Sequence, residues 1–238
     1  MTALPPSAYL PHLRALTEAF AAELRAGELD APVPACGDWT RADLGTHLGN
    51  VHRWAATIVR TGERQRQAFN RALSADLAQW YAESAQLLLD ALAEADPDAR
   101  CWHFGGTEKT KAFWFRRQVH ETAVHLVDAA HGPVPELDPL IAADGVDEVF
   151  GAMLPRVTRW HAVPSLPAPI TVRATDTGHS WTLVPGEPPA LGEAEPVATV
   201  EGPAQQLLLR LWKRPAAEPR ITGDETLATA FLQAPLTP

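Results

Sequence analysis

Apolar residues recur at spacings of three and four through the first two thirds of the chain, and that pattern predicts helices. Leu10, Leu13, Leu16, Phe20 and Leu24 share one stripe of a helix over about 7–27. The run Ala-Pro-Val-Pro-Ala-Cys-Gly-Asp after it is a turn. A second helix starts after Thr40, a residue suited to an N-cap, with Asp43 placing an acid in the first turn. It runs to about Thr61, where Gly62 ends it. Ser74 opens a third helix, with Leu77, Trp80, Tyr81, Leu87, Leu88 and Leu92 inward and Asp96-Pro97 after it. A fourth spans about Lys109 to His131 and stops at Gly132-Pro133, and a fifth helical stretch covers about 139–162. The first four, joined by short to moderate loops, predict an antiparallel bundle.

The pattern changes near residue 164. Of 22 prolines, 12 fall in the last 75 residues, and the run VPSLPAP at 163–169 predicts a linker, because closely spaced prolines favour extended chain. Beyond it, Ile170–Thr175 and His179–Val184 predict a hairpin and Val197–Glu201 a further strand. Ala204–Lys213 and Asp224–Leu232 predict helices. The expected fold class is α plus α+β: a four-helix bundle over 1–163, then a small α+β domain over 164–238.

Composition narrows the function. The 238 residues are 46% apolar and 21% charged, enough for a sizeable core, and 29 acids against 20 bases give a net charge of −9. Splitting at the proline run leaves both parts acidic, which argues against nucleic acid as a partner, since phosphate-backbone binding needs a concentrated basic surface. No apolar run is long enough to span a membrane, and the N-terminus has no charged segment followed by an apolar one. Two cysteines, Cys36 and Cys101, make no disulfide framework, so the expected setting is the cytoplasm, with reduced thiols.

The second and fourth helices carry the candidate chemistry. His47 falls inside the stripe of Leu44, Leu48, Val51 and Ile58, and a buried imidazole needs a partner, either a carbonyl or an ion. On the fourth helix Glu121 and His125 are four apart, one above the other, with Asp128 continuing that face and Trp114 and Gln118 preceding it. With a histidine from a facing helix they make a His₂Glu set suited to a catalytic zinc with open positions. The same spacing also fits an exposed glutamate–histidine pair on a solvated helix. His120 diverges from Glu121 by about 100° and does not share its face. Cys36 and Cys101 lack a Cys-x-x-Cys partner or an evident base, and read as structural thiols. Arg53, Arg60, Arg116 and Arg117 lie on the two helices and are candidate partners for substrate carboxylates, or solvated surface residues. Gly105-Gly106 is too short to cradle phosphate, and Leu207, Leu208, Leu209 and Leu211 read as packing against the sheet.

The segment CGDWTRADLGTHLGNVHRWA, followed by RRQVHETAVHLVDA, resembles the mycothiol-dependent maleylpyruvate isomerase family, part of the wider DinB-like metalloenzyme superfamily. The elements are W-x₃-D-L-x₂-H-L, on Trp39, Asp43, Leu44, His47 and Leu48, and HETAVH-x₂-D-A. The tail VATVEGPAQQLLLRLWKR resembles the family's C-terminal domain, which is similar to sterol-carrier-type domains. The resemblance implies metal ligands at His47, Glu121 and His125, zinc as the ion, and mycothiol as cosubstrate. It implies for Asp128 a place beside the ligands, orienting an imidazole or pairing with an arginine; Asp128 and Arg117 are the candidate catalytic residues. The expected activity is a thiol-dependent isomerase or thiol S-transferase acting on a small electrophile such as maleylpyruvate. Metal-dependent hydrolysis and a non-enzymatic metal-binding regulatory module are the alternatives.

Overall fold

The computed structural model describes residues 4–66, 76–106 and 108–238. These form two compact units, Leu4–Pro135 and Glu136–Pro238. The expected boundary at 163/164 therefore falls inside the second unit. The change of composition there marks where strands begin, and the helix before it packs against a helix of the C-terminal unit.

The first unit is a four-helix bundle of α1 (Pro6–Ala26), α2 (Arg41–Thr61), α3 (Leu77–Ala93) and α4 (Ala112–Ala129). α1 and α2 each pack against both α3 and α4. The buried face of α1 is Tyr9, Leu13, Thr17, Phe20, Ala21 and Leu24; Leu10 and Leu16 flank it half-buried. α2 begins as its sequence predicts. Thr40 accepts from the Asp43 amide while the Asp43 carboxylate accepts from the Thr40 amide, and Gly62, at φ 73°, closes the other end in the left-handed region. Ser74 lies outside the described residues; the cap of α3 is Asp76, whose side chain accepts from the Gln79 amide. Leu87 is exposed rather than inward, because the buried stripe of α3 runs through Leu88 beside it. α4 starts later than the expected Lys109, because that stretch pairs with the strand-like segment before it: Arg100 bridges Thr110, and the Cys101 amide donates to the Lys109 carbonyl.

Glycine sets how closely α2 approaches α3. A Cβ at Gly49 would sit 2.2 Å from the Trp80 ring, and one at Gly45 would press on Leu24 and Leu77. Against α4, the aligned pairs are Trp54 with Trp114, whose rings meet edge-on at 5.2 Å, and His52 with Gln118. Numbers fall along α2 as they rise along α4, so these helices are antiparallel. The His52 ring is fully buried; its Nδ1 donates to Gln118 Oε1 at 2.9 Å, and its Nε2 accepts from the Tyr81 hydroxyl at 3.2 Å.

In the second unit, α5 (Pro139–Glu148) does not continue to 162 as expected. It widens into a π turn over Val149–Met153 and tightens into a 3₁₀ turn over Leu154–Arg159. Pro155, in the first turn of the 3₁₀ segment, has no amide hydrogen and its ring crowds the carbonyl four residues back, so regular α-helix does not resume there. The sheet has the order β3-β2-β1-β4-β5, with β1 (Ile170–Ala174), β2 (Ser180–Val184), β3 (Ala190–Leu191), β4 (Ala198–Gly202) and β5 (Arg220–Gly223). β1 pairs antiparallel to β2 and parallel to β4, with Val172 opposite Trp181 and Val200. α6 (Ala204–Leu211) packs on β1, β4 and α5, and α7 (Glu225–Gln233) on β4 and β5. Strands β3 and β5 carry no sequence signal: one has two residues, and the other ends in glycine.

Burial of His52 lowers its pKa from 6.5 to about 4 against the pull of the Gln118 hydrogen bond. The unfolded chain thus takes up a proton near pH 6.5 that the folded chain refuses until about 4. That contribution to stability is intact above pH 6.5 and is lost as pH falls towards 4, a loss of about 3 kcal/mol. Urea unfolding at stepped pH should show this decline, and a His52→Asn chain should show a flatter one. Equal slopes would contradict the assignment.

Candidate metal centre

α2 and α4 bring His47, Glu121 and His125 together. His47 Nε2 lies 3.5 Å and His125 Nε2 3.6 Å from the same carboxylate oxygen, Glu121 Oε1. The two imidazoles meet edge to face, with centroids 5.3 Å apart. Both nitrogen–oxygen separations are too long for a good hydrogen bond. They are close to the ~3.3 Å between ligand atoms around a tetrahedral ion with bonds of about 2.0–2.1 Å. Two imidazole nitrogens and one carboxylate oxygen are a borderline donor set of the kind zinc takes, so these residues fit the ion.

Two of the three ligand candidates have a polar partner on the far side. Arg117, itself buried, holds Glu121 Oε2 from one turn earlier on α4, leaving Oε1 to face the histidines. Asp128 Oδ2 accepts from His125 Nδ1 at 2.9 Å, so the neutral ring carries its proton on Nδ1 and turns its Nε2 lone pair to the trio. The Trp39 ring lies against His47 at 4.8 Å. The Cys36 thiol approaches Asp128 Oδ2 at 3.6 Å. Cys36, Asp128 and His125 form a second cluster of donor atoms on the other side of the same imidazole.

The two histidines shift in opposite directions. Burial, helped by the neighbouring His125 and Arg117, lowers His47 to about 4 and keeps it neutral. Burial also pulls His125 down, but the Asp128 hydrogen bond and the Cys36 thiol outweigh it and raise the ring above 6.5.

The other sequence candidates lie apart from the trio. His120 turns its ring edge-on to Tyr9 of α1 at 6.4 Å, as its position next to Glu121 predicts. Arg53 donates to Ser84 and stacks over Trp80, and Arg60 donates to the Leu87 carbonyl, so both serve α3. Arg116 is half-buried on α4. Cys101 is buried against the Ile58 carbonyl, and burial pushes its thiol pKa up. Near Gly105-Gly106 the Lys109 ammonium donates to the carbonyls of His103, Gly105 and Gly106, a cage of the wrong polarity for phosphate. Sequence reasoning missed the contact of Trp39 with His47 and the thiol of Cys36 beside Asp128. No spacing rule reports a contact between a loop residue and a helix face, whether eight residues on, as for Trp39, or 92, as for Cys36.

A helical bundle in which two imidazoles and a carboxylate from facing helices converge is of the class that builds metal sites in its interior. A family model described as the mycothiol maleylpyruvate isomerase N-terminal domain matches residues 10–130, and the model of that family's C-terminal domain matches 141–230. The chain belongs to the mycothiol maleylpyruvate isomerase family, a family of enzymes. Its fold is similar to the crystal structure of a histidine-to-alanine mutant of the mycothiol-dependent maleylpyruvate isomerase, at TM-score 0.66 and 15% identity. It is likewise similar to that isomerase without the mutation, at TM-score 0.62 and 15% identity. Both alignments cover 93% of this chain and 96% of the other. No curated protein matches the chain in sequence. No helix among the described residues is long and apolar enough to cross a membrane.

Arg117 and Glu121 form a buried charge pair, with 8% and 13% of their side chains exposed. In metal-free protein, Arg117→Met should cost about 3 kcal/mol by leaving the Glu121 charge without that partner. Adding Glu121→Gln should recover most of the loss in a urea-unfolding cycle. Additive losses would show that the pair is not coupled.

Proposed function

We propose that this chain is a zinc enzyme that uses mycothiol, a low-molecular-weight thiol, to isomerise a small electrophilic alkene such as maleylpyruvate. Thiol S-transfer is the outcome on an electrophile that does not release the thiol. The observation that carries the reading is the convergence of His47 Nε2 and His125 Nε2 on Glu121 Oε1 at ligand spacing. Family membership supports the thiol and the substrate class.

His47, Glu121 and His125 would hold the ion. A divalent cation bound there would supply a thiolate at neutral pH and leave a position open beside it. The chain's own residues prepare that chemistry. His47 is neutral, so it offers a lone pair rather than a proton. Asp128 keeps the His125 proton on Nδ1, away from the ligand atom. Arg117 occupies the second oxygen of Glu121 and offsets its charge, which preserves a positive field for an anionic sulfur. Trp39 covers one side of His47 with an apolar ring.

The reaction balances without a further reagent. Sulfur adds to the alkene and the electron pair moves to the carbon next to the activating carbonyl. The new single bond then rotates, and loss of the same thiol restores the double bond as the other isomer.

Zinc-loaded protein should convert maleylpyruvate only when mycothiol is present, monitored by the change in ultraviolet absorbance, and Glu121→Ala should reduce turnover to background. Thiol-independent turnover would replace this reading with hydrolysis. Absence of any thiol binding by the loaded protein would overturn it.

A further inference from the structure

The Val33–Trp39 loop reaches both histidines of the trio by different routes. Trp39 lies against the His47 ring, and Cys36 approaches the carboxylate that holds His125. We infer that Cys36 is a positioning residue of the metal centre: its thiol donates to Asp128 Oδ2, anchoring the carboxylate that fixes the tautomer and aim of His125. The inference rests on the zinc reading above.

The loop is built to hold this thiol in place. The Val33 amide donates to the Trp39 carbonyl and the Cys36 amide to the Val33 carbonyl, both at 2.8 Å, while Pro32 bridges Thr40 at the loop's base. Cys36 and Trp39 both pack on the apolar core of the bundle. On the far side, the Asp128 side chain is only 1% exposed, so water does little to orient it. A thiol is a weak donor, but its acceptor here is a buried carboxylate, which strengthens the bond. Oδ2 of Asp128 faces both the thiol, at 3.6 Å, and His125 Nδ1, at 2.9 Å. These are hydrogen-bond separations for sulfur and nitrogen, unlike the ligand spacing on the Nε2 side. The imidazole therefore divides its two nitrogens between a hydrogen-bonded anchor and a metal-facing lone pair. Cys36 belongs to the anchor.

The test is zinc affinity, by competition with a chromogenic chelator, together with the visible spectrum of the cobalt-substituted protein. Cys36→Ala should weaken zinc binding about tenfold, the low end for outer partners of metal ligands, and perturb the cobalt bands. Cys36→Ser, which keeps a donor, should retain the affinity to within about twofold. In an Asp128→Asn background the alanine substitution should add nothing further. Should the alanine chain not fold, Cys36→Val, apolar and without a donor, takes its place.

Wild-type zinc affinity and spectrum in the alanine or valine chain would overturn the inference while leaving the zinc reading intact. So would an equal loss in the Asp128→Asn background. A sulfur-to-cobalt charge-transfer band absent from Cys36→Ser would make Cys36 a ligand instead. Wild-type protein that takes up no zinc would remove both the reading and the inference.

Discussion

The hydrogen bond from the His52 ring to the Gln118 side chain fixes how α2 lies against α4. Both groups are buried, and a slip of either helix would leave a donor and an acceptor without partners, at a cost of about 1–3 kcal/mol each. Because the helices run antiparallel, stepping back along α2 and forward along α4 from this pair moves in the same direction along the bundle. His47 and Glu121 meet along that path. The Tyr81 hydroxyl on the other nitrogen of His52 ties α3 into the same register. One buried polar chain thus aligns three helices, and the ligand candidates are placed by that alignment rather than by their own contacts.

The trio gathers half-buried polar groups without hydrogen-bonding them well to one another. Two imidazoles and a carboxylate face a common point, which is costly in a metal-free interior unless each is held from behind. Arg117 does this for Glu121 and Asp128 for His125, both from one turn away on α4. Two of the groups that shape the site thus lie on the same helix as two of the ligand candidates. The remaining support comes from the loop before α2, through Trp39 and Cys36.

Local signals in the sequence carried the parts of the fold that local forces decide. The Thr40–Asp43 capping box and Gly62 bound α2 where the chain pattern placed them, and Glu121 and His125 share a face because four residues make one turn. Elements decided by distant partners were not legible. α4 loses its expected first residues to pairing of Cys101 with Lys109, and Pro155 keeps regular α-helix from resuming where the apolar periodicity continues. The compact units divide before α5 because that helix packs on α6, which no composition shift reveals. Asp128 could be placed beside His125 by spacing, whereas Cys36 could not, since 92 residues separate it from the carboxylate it meets.

Whether His47, Glu121 and His125 together hold a metal ion can be read from X-ray absorption on zinc-loaded protein. About one zinc per chain is expected, with nitrogen and oxygen neighbours at about 2.0–2.1 Å, and loss of the ion in His47→Ala. No zinc after reconstitution, or retention of the ion with an unchanged shell in His47→Ala, would contradict it. His47 would then be a packed histidine of the bundle, and Glu121–His125 a pair on one helix face.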